Sequence, residues 1–356
     1  MGKPIVSRVR RHLFASVFES RRSAEEKAAD IKGGYFLLYP AYKKARGPRF
    51  GHFQLSVAMQ ISLSTPPADA VDTVVGVLAA WQSDATIHNL HPGDIGWHLR
   101  DGPDKTASCL RCWSTEDGTI LAIGLLDLKN LLRVTTAPSA RHDESLAEAM
   151  AADITDPAKG VLPEGDISVD IAPDALLHEK LVGSEGWTEG KEWVWLRRDG
   201  ITGTPVNTNI ELSFQIVTTE EQISQRVQIQ KLAFPTSTFS VEKWHTMAST
   251  AAYKTARCLL AYKTDVSTEP IPVGVTTVWS AGPGRPGLLE PLGVSAVHQG
   301  HGIGKALTYA AAEHLHKMGA SSAMVATPRD NHAAVRTYQS TGFVEIRATR
   351  DLTRRN

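Results

Sequence analysis

Three closely spaced glycines precede a helix-forming run near residue 300 of this 356-residue chain. Gly300, Gly302 and Gly304 lie in the stretch HQGHGIGKAL, after an apolar segment of strand character and before an alanine-rich segment with helical spacing. Unpaired backbone N–H groups at the start of a helix, together with the positive end of the helix dipole, attract anions. Glycine lets a phosphate approach the backbone closely. The stretch therefore predicts a phosphate-binding loop.

Three kinds of phosphate ligand leave different patterns, and the residues of the loop distinguish them. A mononucleotide loop of the GxxxxGK[ST] type fails, because Gln299 stands at the first glycine and Ala306 replaces the hydroxyl residue. A dinucleotide loop of the GxGxxG type fails on its spacing, and the preceding strands are predicted to be antiparallel. A third pattern, Gln/Arg-x-x-Gly-x-Gly/Ala, is matched throughout residues 299–304.

A second motif accompanies this loop, and the two together resemble the GNAT superfamily of acyl-CoA-dependent N-acyltransferases. The motif reads Asn331-x-x-Ala334-x-x-x-Tyr338-x-x-x-Gly342-Phe343 and begins 27 residues after Gly304. In that family the loop and its helix hold the pyrophosphate of coenzyme A. The resemblance implies acetyl-CoA as co-substrate, without a metal, and implies that it is bound by Gln299, Gly300, His301, Gly302, Ile303, Gly304 and Lys305.

Acetyl transfer from a thioester to an amine needs a free-base amine, an oxyanion donor and a proton for the leaving thiolate. In the family, backbone N–H groups at a splayed bulge in the strand before the loop bind the acetyl carbonyl. The resemblance places that bulge at Gly293, Val294 and Ser295. Glu290, the only acid between Glu269 and Glu313, occupies the position of a catalytic base in many relatives. The alternative for Glu290 is a surface carboxylate at the start of a strand.

The second motif implies two more functional residues. Tyr338 matches the residue that protonates the leaving thiolate in many members, and a phenol can donate to a thiolate of similar basicity. Its alternative is a packing role before the Gly-Phe turn. Asn331 matches a residue that contacts the pantetheine arm, and it is equally suited to cap a helix. The acceptor pocket of the family corresponds to residues 234–245, where Phe234, Phe239 and Trp244 offer aromatic walls or core packing.

The elements that must position these residues occur twice. Residues 71–199 show strands, a helix, a strand and a helix in the order found in residues 210–356. Arg141 and Gln299, each after a strand, lie 158 residues apart, and the Gly-Trp at 186 and Gly-Phe at 342 lie 156 apart. The repeated landmarks predict a tandem duplication. The predicted fold is therefore α+β or α/β, with two tandem GNAT-like domains that each have a mixed, mainly antiparallel sheet flanked by helices.

The first copy of the loop is altered where a phosphate would bind. When Arg141 is aligned with Gln299, the positions of the three glycines are occupied by His142, Glu144 and Leu146. Val182 occupies the position that corresponds to Tyr338. Acids beside a pyrophosphate repel it, and side chains keep it from the backbone. We therefore predict a degenerate GNAT-like domain at 71–199, a linker at 200–209 and a catalytic N-acetyltransferase domain at 210–356.

Composition excludes several other classes of protein. Lys+Arg and Asp+Glu are both 38, so no overall basic field favours nucleic acid. Residues 1–50 carry 12 basic and 4 acidic residues, and residues 1–70 are predicted to be a basic extension rather than a targeting segment. The sequence lacks an apolar run of about 18 residues, which predicts no membrane span.

The three cysteines favour a reducing cytoplasm. Cys109 and Cys112, in the predicted strand ASCLRCW, are expected to pack in the core, since a zinc site would need a second pair.

These observations predict a cytoplasmic N-acetyltransferase that transfers acetyl from acetyl-CoA to a primary amine of a small molecule, such as an antibiotic, polyamine or amino sugar. Direct attack in a ternary complex is expected, because no cysteine lies in the motif region. Three alternatives stay open: N-acetylation of basic proteins or peptides, a non-catalytic acyl-CoA-binding module, and a role like that of mycothiol synthase.

Overall fold

A computed structural model describes residues 60–200, 208, 210–265 and 268–355 of the chain. The predicted basic extension therefore lies outside the described residues up to residue 59, and the predicted linker lies outside them except for residues 200 and 208. Residues 61–70, which the predicted extension included, form a strand and a short helical turn. No helix in the described part of the chain is long and apolar enough to cross a membrane.

The first half of the described chain contains six strands and five α-helices. In chain order they are β1 (Ile61–Ser64), α1 (Val71–Trp81), α2 (Pro92–His98), α3 (Pro103–Cys109), β2 (Leu110–Thr115), β3 (Ile120–Leu128), β4 (Leu131–Thr136), α4 (Glu144–Thr155), β5 (Ile167–Asp170), α5 (Leu176–Val182) and β6 (Trp187–Asp199).

The second half repeats this order of elements. They are β7 (Leu212–Ile216), α6 (Glu220–Ala233), α7 (Val241–Ala248), α8 (Ala251–Lys254), β8 (Ala256–Asp265), β9 (Thr268–Ser280), β10 (Gly287–Val294), α9 (Ile303–Lys317), β11 (Ser322–Pro328), α10 (His332–Gln339) and β12 (Val344–Arg354). Each half is thus one strand, three helices, three strands, and then helix, strand, helix and strand. The predicted duplication, two tandem units of strands and flanking helices, is confirmed.

The strands of both halves join in one sheet of twelve, in the order β1-β2-β3-β4-β5-β12-β6-β11-β10-β9-β8-β7. When each strand is exchanged for its equivalent in the other half (β1 for β7, β2 for β8 and so on), the same strand order is read from the opposite edge of the sheet. The two halves are therefore related by a pseudo-twofold axis. Two strands are exchanged: β6 of the first half pairs with β11 of the second, and β12 of the second pairs with β5 of the first. The halves therefore share a sheet instead of standing side by side.

Local sequence explains most of these elements, with one correction. The strand predicted from Ala107 begins only at Leu110, because Pro103 after Gly102, whose φ is 92°, starts a helix that runs to Cys109. Cys109 and Cys112 consequently lie on different elements. Cys112 is buried in the core, as expected, and Cys109 is half-buried.

Candidate active site

The strands β10 and β11 separate soon after they begin. Their parallel ladder joins only Gly287 to Ala323 and Leu288 to Met324. Both strands continue, β10 to Val294 along β9 and β11 to Pro328 along β6. The divergence opens a V-shaped gap between the carboxyl ends of two parallel strands, which is a common place for a ligand in sheets of this kind.

An irregularity in β10 lies at the edge of this gap. The pairing of β10 with β9 shifts by one residue between Leu289 and Leu292, so the bulge spans Glu290 and Pro291 and precedes the predicted position at Gly293–Ser295. The amide of Ser295 donates to the Val273 carbonyl at 2.9 Å, which removes it as a ligand donor. Because N–H directions alternate along a strand, the amide of Val294 points away from β9, toward the gap.

Gly293 has a packing role that the sequence did not predict. A Cβ atom at this position would lie 2.7 Å from the Ala233 Cβ and 2.7 Å from the Phe234 ring. Only glycine lets the end of α6 pack this closely on β10, so we assign Gly293 to the junction of helix and strand.

The glycine loop ends in an uncapped helix. Gly300 and Gly302 both have φ of 81°, in the left-handed region that favours glycine. Gly302 is the N-cap of α9, no described side chain caps this helix, and the first intrahelical bond is donated by Ala306 to the Gly302 carbonyl. The preceding amides therefore have no intrahelical acceptor. This arrangement suits an anion at the start of α9.

Side chains around the loop divide into structural and exposed groups. Gln299 is exposed and its Nε2 donates to the Val294 carbonyl at 3.2 Å, which ties the loop to the end of β10. Ile303 is buried in the core, so only its backbone can face a ligand. His301 is exposed, with Nδ1 2.9 Å from the Gln299 carbonyl, and Lys305 is half-buried on the first turn of α9.

Glu290 is half-buried on β10. Leu288 packs with the core under α6 and α7, and Leu289 packs with the core near α9, so alternation directs Glu290 toward the side of α6. The indole Nε1 of Trp279 donates to its backbone carbonyl at 2.8 Å. Burial lowers the pKa of Arg100, and nearby carboxylates, Glu290 among them, oppose that shift. An arginine of the first half therefore lies within electrostatic range of Glu290.

Tyr338 lies on α10, buried beside Phe343, with the two ring centroids 5.9 Å apart. Burial raises the pKa of Tyr338 above its ordinary value, and the negative charge of Glu290 adds to the shift. The phenol is therefore protonated at neutral pH, which is the state that can donate a proton. The structure brings Tyr338 of α10 and Glu290 of β10 within electrostatic range of each other.

Asn331 is the N-cap of α10. Its Oδ1 accepts from the Ala334 amide at 3.3 Å, so the capping role anticipated for this residue is present. The residue follows directly from the end of β11, on the far side of the gap from β10. The rest of its side chain is half-buried, which leaves room for the second role, contact with the pantetheine arm.

The same region in the first half is closed. The N-cap of α4 is Asp143, whose carboxylate accepts from the Leu146 amide at 2.8 Å and occupies the place of an anion. The segment after α1 is bonded to the ends of β4 and β5: Asn89 donates to Asp170 at 2.6 Å, and Arg133 donates to the Asn89 carbonyl at 2.8 Å. The polar side chains at these strand ends are thus used within the first half.

Sequence reasoning missed the residues that the first half contributes to the second. Trp97, at the end of α2, stacks on Phe239 with ring centroids 5.1 Å apart, and Asp101 pairs with Lys243 at 2.7 Å. Gly93 and Gly96 of α2 lie directly on Trp279. The local sequence offered one signal of this contact, the two glycines three residues apart in a seven-residue helix. Their spacing did not indicate that they pack on Trp279, about 180 residues away.

Comparisons with known proteins concern the family and the fold of the chain. A family model described as the acetyltransferase (GNAT) family matches residues 225–343. A mycothiol acetyltransferase of Renibacterium salmoninarum is 50% identical over 52 residues, which are 15% of this chain and 15% of the relative. A second, from Paenarthrobacter aurescens, is 47% identical over 53 residues, 15% of this chain and 16% of the relative. The chain is thus matched to only about a sixth of the length of these curated relatives.

Solved structures resemble the fold over most of the chain. A tandem GNAT protein from the clavulanic acid biosynthesis pathway is 17% identical with a TM-score of 0.54, covering 83% of this chain and 98% of its own. A GCN5-related N-acetyltransferase from Sphaerobacter thermophilus is 16% identical with a TM-score of 0.52, covering 83% and 95%. Residues 225–343 therefore match the acetyltransferase (GNAT) family, within a fold that resembles that of a tandem GNAT protein.

Proposed function

We propose that this chain is an acetyl-CoA-dependent N-acetyltransferase that acetylates a primary amine of a small molecule. The observation that carries the proposal is the contrast between the two gaps of the sheet. In the second half the diverging strands β10 and β11 lead to an uncapped helix, and in the first half the helix is capped by Asp143 and Asn89 bonds to the end of β5. One acetyl-CoA per chain is expected, bound by the second half.

The residues present fit coenzyme A. The amides ahead of Ala306 suit the pyrophosphate, and the gap between β10 and β11 suits the extended pantetheine arm. Gln299 holds the loop in place, and Lys305 adds positive charge on the first turn of α9. Asn331 stands beside the arm at the start of α10. When bound, acetyl-CoA supplies the acetyl thioester.

The chain's own groups then have distinct roles. Glu290 accepts the proton of the acceptor amine, directly or through a water molecule. The Val294 amide donates to the carbonyl oxygen of the acetyl group, where negative charge develops. Tyr338 donates a proton to the leaving thiolate, and its raised pKa keeps the phenol protonated until the thiolate forms. Attack by the amine is direct, in a ternary complex.

The domain assignment follows from this proposal. Residues 210–356 form the catalytic unit, residues 71–199 form a degenerate unit that supports it, and 200–209 link the two. The N-terminal range 1–70 carries no catalytic role in the proposal. The segments of α2 that reach α7 and Trp279 make the degenerate unit a wall of the acceptor side.

Release of the CoA thiol, measured against a panel of amines, tests the function. The panel contains polyamines, amino sugars, aminoglycosides, the acceptor of the mycothiol acetyltransferases and a set of basic peptides. Preference for a small amine supports the proposal, and preference for the peptides favours protein acetylation instead. Binding of acetyl-CoA without turnover on any member would favour a non-catalytic module.

Two substitutions test the assigned roles. We expect Glu290→Gln and Tyr338→Phe each to reduce kcat by about 100-fold or more, because each removes a proton-transfer group. Affinity for acetyl-CoA, measured by calorimetry, checks that the cofactor site is intact in both. Wild-type turnover in both variants would contradict the catalytic assignment.

A further inference from the structure

Arg226 of α6 is buried without a hydrogen-bonding partner. Its exposed fraction is 0%, and none of its three guanidinium nitrogens has a partner among the described residues. Buried charges in folded proteins are normally paired, because an unpaired one loses its hydration without compensation. A buried guanidinium whose N–H donors are all unused therefore indicates a site for an acceptor that is not part of the chain.

Aromatic rings enclose this guanidinium. Its carbon lies 4.0 Å from the Phe239 ring centroid, 5.4 Å from that of Trp97 and 5.6 Å from that of Trp244. Such rings stabilise the positive charge through their faces. They accept no N–H hydrogen bond in the plane of the guanidinium, however, so the donors remain unused. The rings thus enclose the guanidinium and leave its fork of donors for a ligand.

Further unused polar atoms lie on the same side of the sheet. Gln230 follows Arg226 by one turn of α6, and its Oε1 is buried without a partner in the described chain. Thr277 is fully buried and its Oγ1 likewise has no described partner. Strand alternation places Thr277 on the face of Val275 and Trp279, which pack in the core formed with α6 and α7.

This polar region lies on the acceptor side of the proposed reaction. Glu290 is directed to the same face of the sheet, as described above. Arg100 lies within electrostatic range of both Glu290 and Arg226. The end of α6 packs on β10 at Gly293, next to Val294. A molecule held at Arg226 could therefore extend along α6 toward the reacting groups.

We propose that Arg226 binds a carboxylate of the acceptor, so that the substrates are amines that carry a carboxylate group, of the amino-acid type. The planar fork of arginine matches a carboxylate with two parallel hydrogen bonds. The Thr277 hydroxyl donates to the same carboxylate, and Oε1 of Gln230, an acceptor, receives an N–H donor of the substrate. The guanidinium is enclosed, so the carboxylate enters when the Trp97–Phe239 stack opens. This inference rests on the proposed function and specifies its acceptor.

Matched pairs of amines that differ only in a carboxylate test the inference. The pairs are lysine and cadaverine, ornithine and putrescine, and phenylalanine and phenethylamine. Binding to the full chain in the presence of CoA is measured by calorimetry and tryptophan fluorescence, and kcat/KM by thiol release. We expect at least one carboxylated member to exceed its partner by about 10- to 100-fold, as for a charge-assisted pair of hydrogen bonds.

Two variants decide what produces the preference. Arg226→Met should abolish the preference for the carboxylated amine, because it should weaken the binding of that amine and not of its uncarboxylated partner. Arg226→Lys should retain only part of the preference. Lys231→Met is the matched control, since Lys231 lies exposed on the same helix and should retain the wild-type preference. Circular dichroism and acetyl-CoA affinity verify that each variant is folded.

The outcomes separate this inference from the proposed function. Equal binding and equal kcat/KM within every pair, or a preference that survives in Arg226→Met, would overturn the carboxylate site while acetyl transfer stands. A carboxylate preference in binding without any thiol release would support the site and contradict the enzyme. Absence of binding by every carboxylated member would also overturn the inference.

Discussion

At the scale of single residues, the two halves differ most at one helix cap. The N-cap of α4 is Asp143, which satisfies an amide of its own helix, and the N-cap of α9 is Gly302, which satisfies none. A carboxylate at the first site and a left-handed glycine at the second produce opposite electrostatic surroundings on the same framework. The proposed restriction of cofactor binding to the second half thus depends on a few side chains.

Gly302 permits a direct test of this contrast. We expect Gly302→Ala to weaken acetyl-CoA binding by roughly tenfold, because an alanine at a φ of 81° costs about 1–2 kcal/mol and displaces the amides that follow. Calorimetric titration measures the change. Gly160→Ala, at a φ of 67° in an exposed loop of the first half with open space around it, is the matched control for strain alone. Equal acetyl-CoA affinity in both variants would contradict the role of Gly302.

Motif residues were predictable at this scale because their chemistry is local. The glycines at positive φ and the cap at Asn331 follow from neighbouring residues alone. The roles of Ser295 and Gly293 could not be predicted. Ser295 donates a hydrogen bond to β9, and Gly293 allows the close approach of α6, and neither contact is local in sequence. Arg226 was missed for the same reason, because its cage includes Trp97 from the other half.

At the scale of elements, α2 of the first half supports the strand that carries Glu290. A Cβ atom on Gly96 would lie 2.4 Å from the Trp279 ring, and one on Gly93 would lie 2.5 Å from the same side chain. Trp279 in turn donates to the Glu290 carbonyl. The short helix α2 thus packs against the indole, and the indole donates a hydrogen bond to the bulge of β10.

Gly96→Ala should disturb this chain of contacts. We expect a loss of about 1–3 kcal/mol in the free energy of unfolding from overpacking. A decrease in kcat of up to about 100-fold is expected from a displaced base. Urea denaturation and steady-state kinetics measure the two effects. In Gly76→Ala, at an exposed position of α1 where an added Cβ would meet nothing within 4 Å, the same change should stabilise the helix by up to about 1 kcal/mol. A folded Gly96→Ala protein with wild-type kcat would show that α2 does not position Glu290.

At the scale of the whole molecule, the exchange of β6 and β12 makes the halves interdependent. Removal of residues up to 200 would leave β11 and β12 without the strand between them. We expect residues 210–356 alone to be insoluble or molten, and co-expression with residues 60–200 to restore a folded complex. Circular dichroism and gel filtration distinguish these states. A stable, monomeric second half that binds acetyl-CoA would contradict this expectation.

Two buried histidines make the stability of the molecule depend on pH. Burial lowers the pKa of both His88 and His91 to about 4. His91 accepts from the Gly93 amide through Nδ1, so its proton resides on Nε2, beside the Pro286 carbonyl. Between about pH 6.5 and pH 4 the unfolded chain binds these protons and the folded chain does not.

The free energy of unfolding should therefore fall as the pH decreases through this window, by on the order of a few kcal/mol. Urea denaturation at pH 7.5 and at pH 5.0 measures the decrease. In His91→Asn the difference between the two pH values should be smaller than in the wild type. Equal differences would show that His91 does not contribute.

The tandem plan itself was predictable, and its assembly was not. Equal spacing of Arg141 and Gln299, and of the two Gly-aromatic turns, indicates a duplication. The pairing of Leu352 with Val169 involves residues far apart in sequence, and the polar alternation of β12 fits any sheet edge. Periodicity specifies which face of a strand is buried, and leaves its neighbours open.

The place of β12 in the sheet also has a consequence for synthesis. Ribosomes add about 5 to 20 residues per second, so β12 emerges on the order of ten seconds after β5 and β6. During that time the nascent first half exposes two strand edges that only the last described strand will cover. Its folding must wait for the distal part of the messenger RNA to be read, and a chain stalled before residue 344 would present a ready template for aggregation.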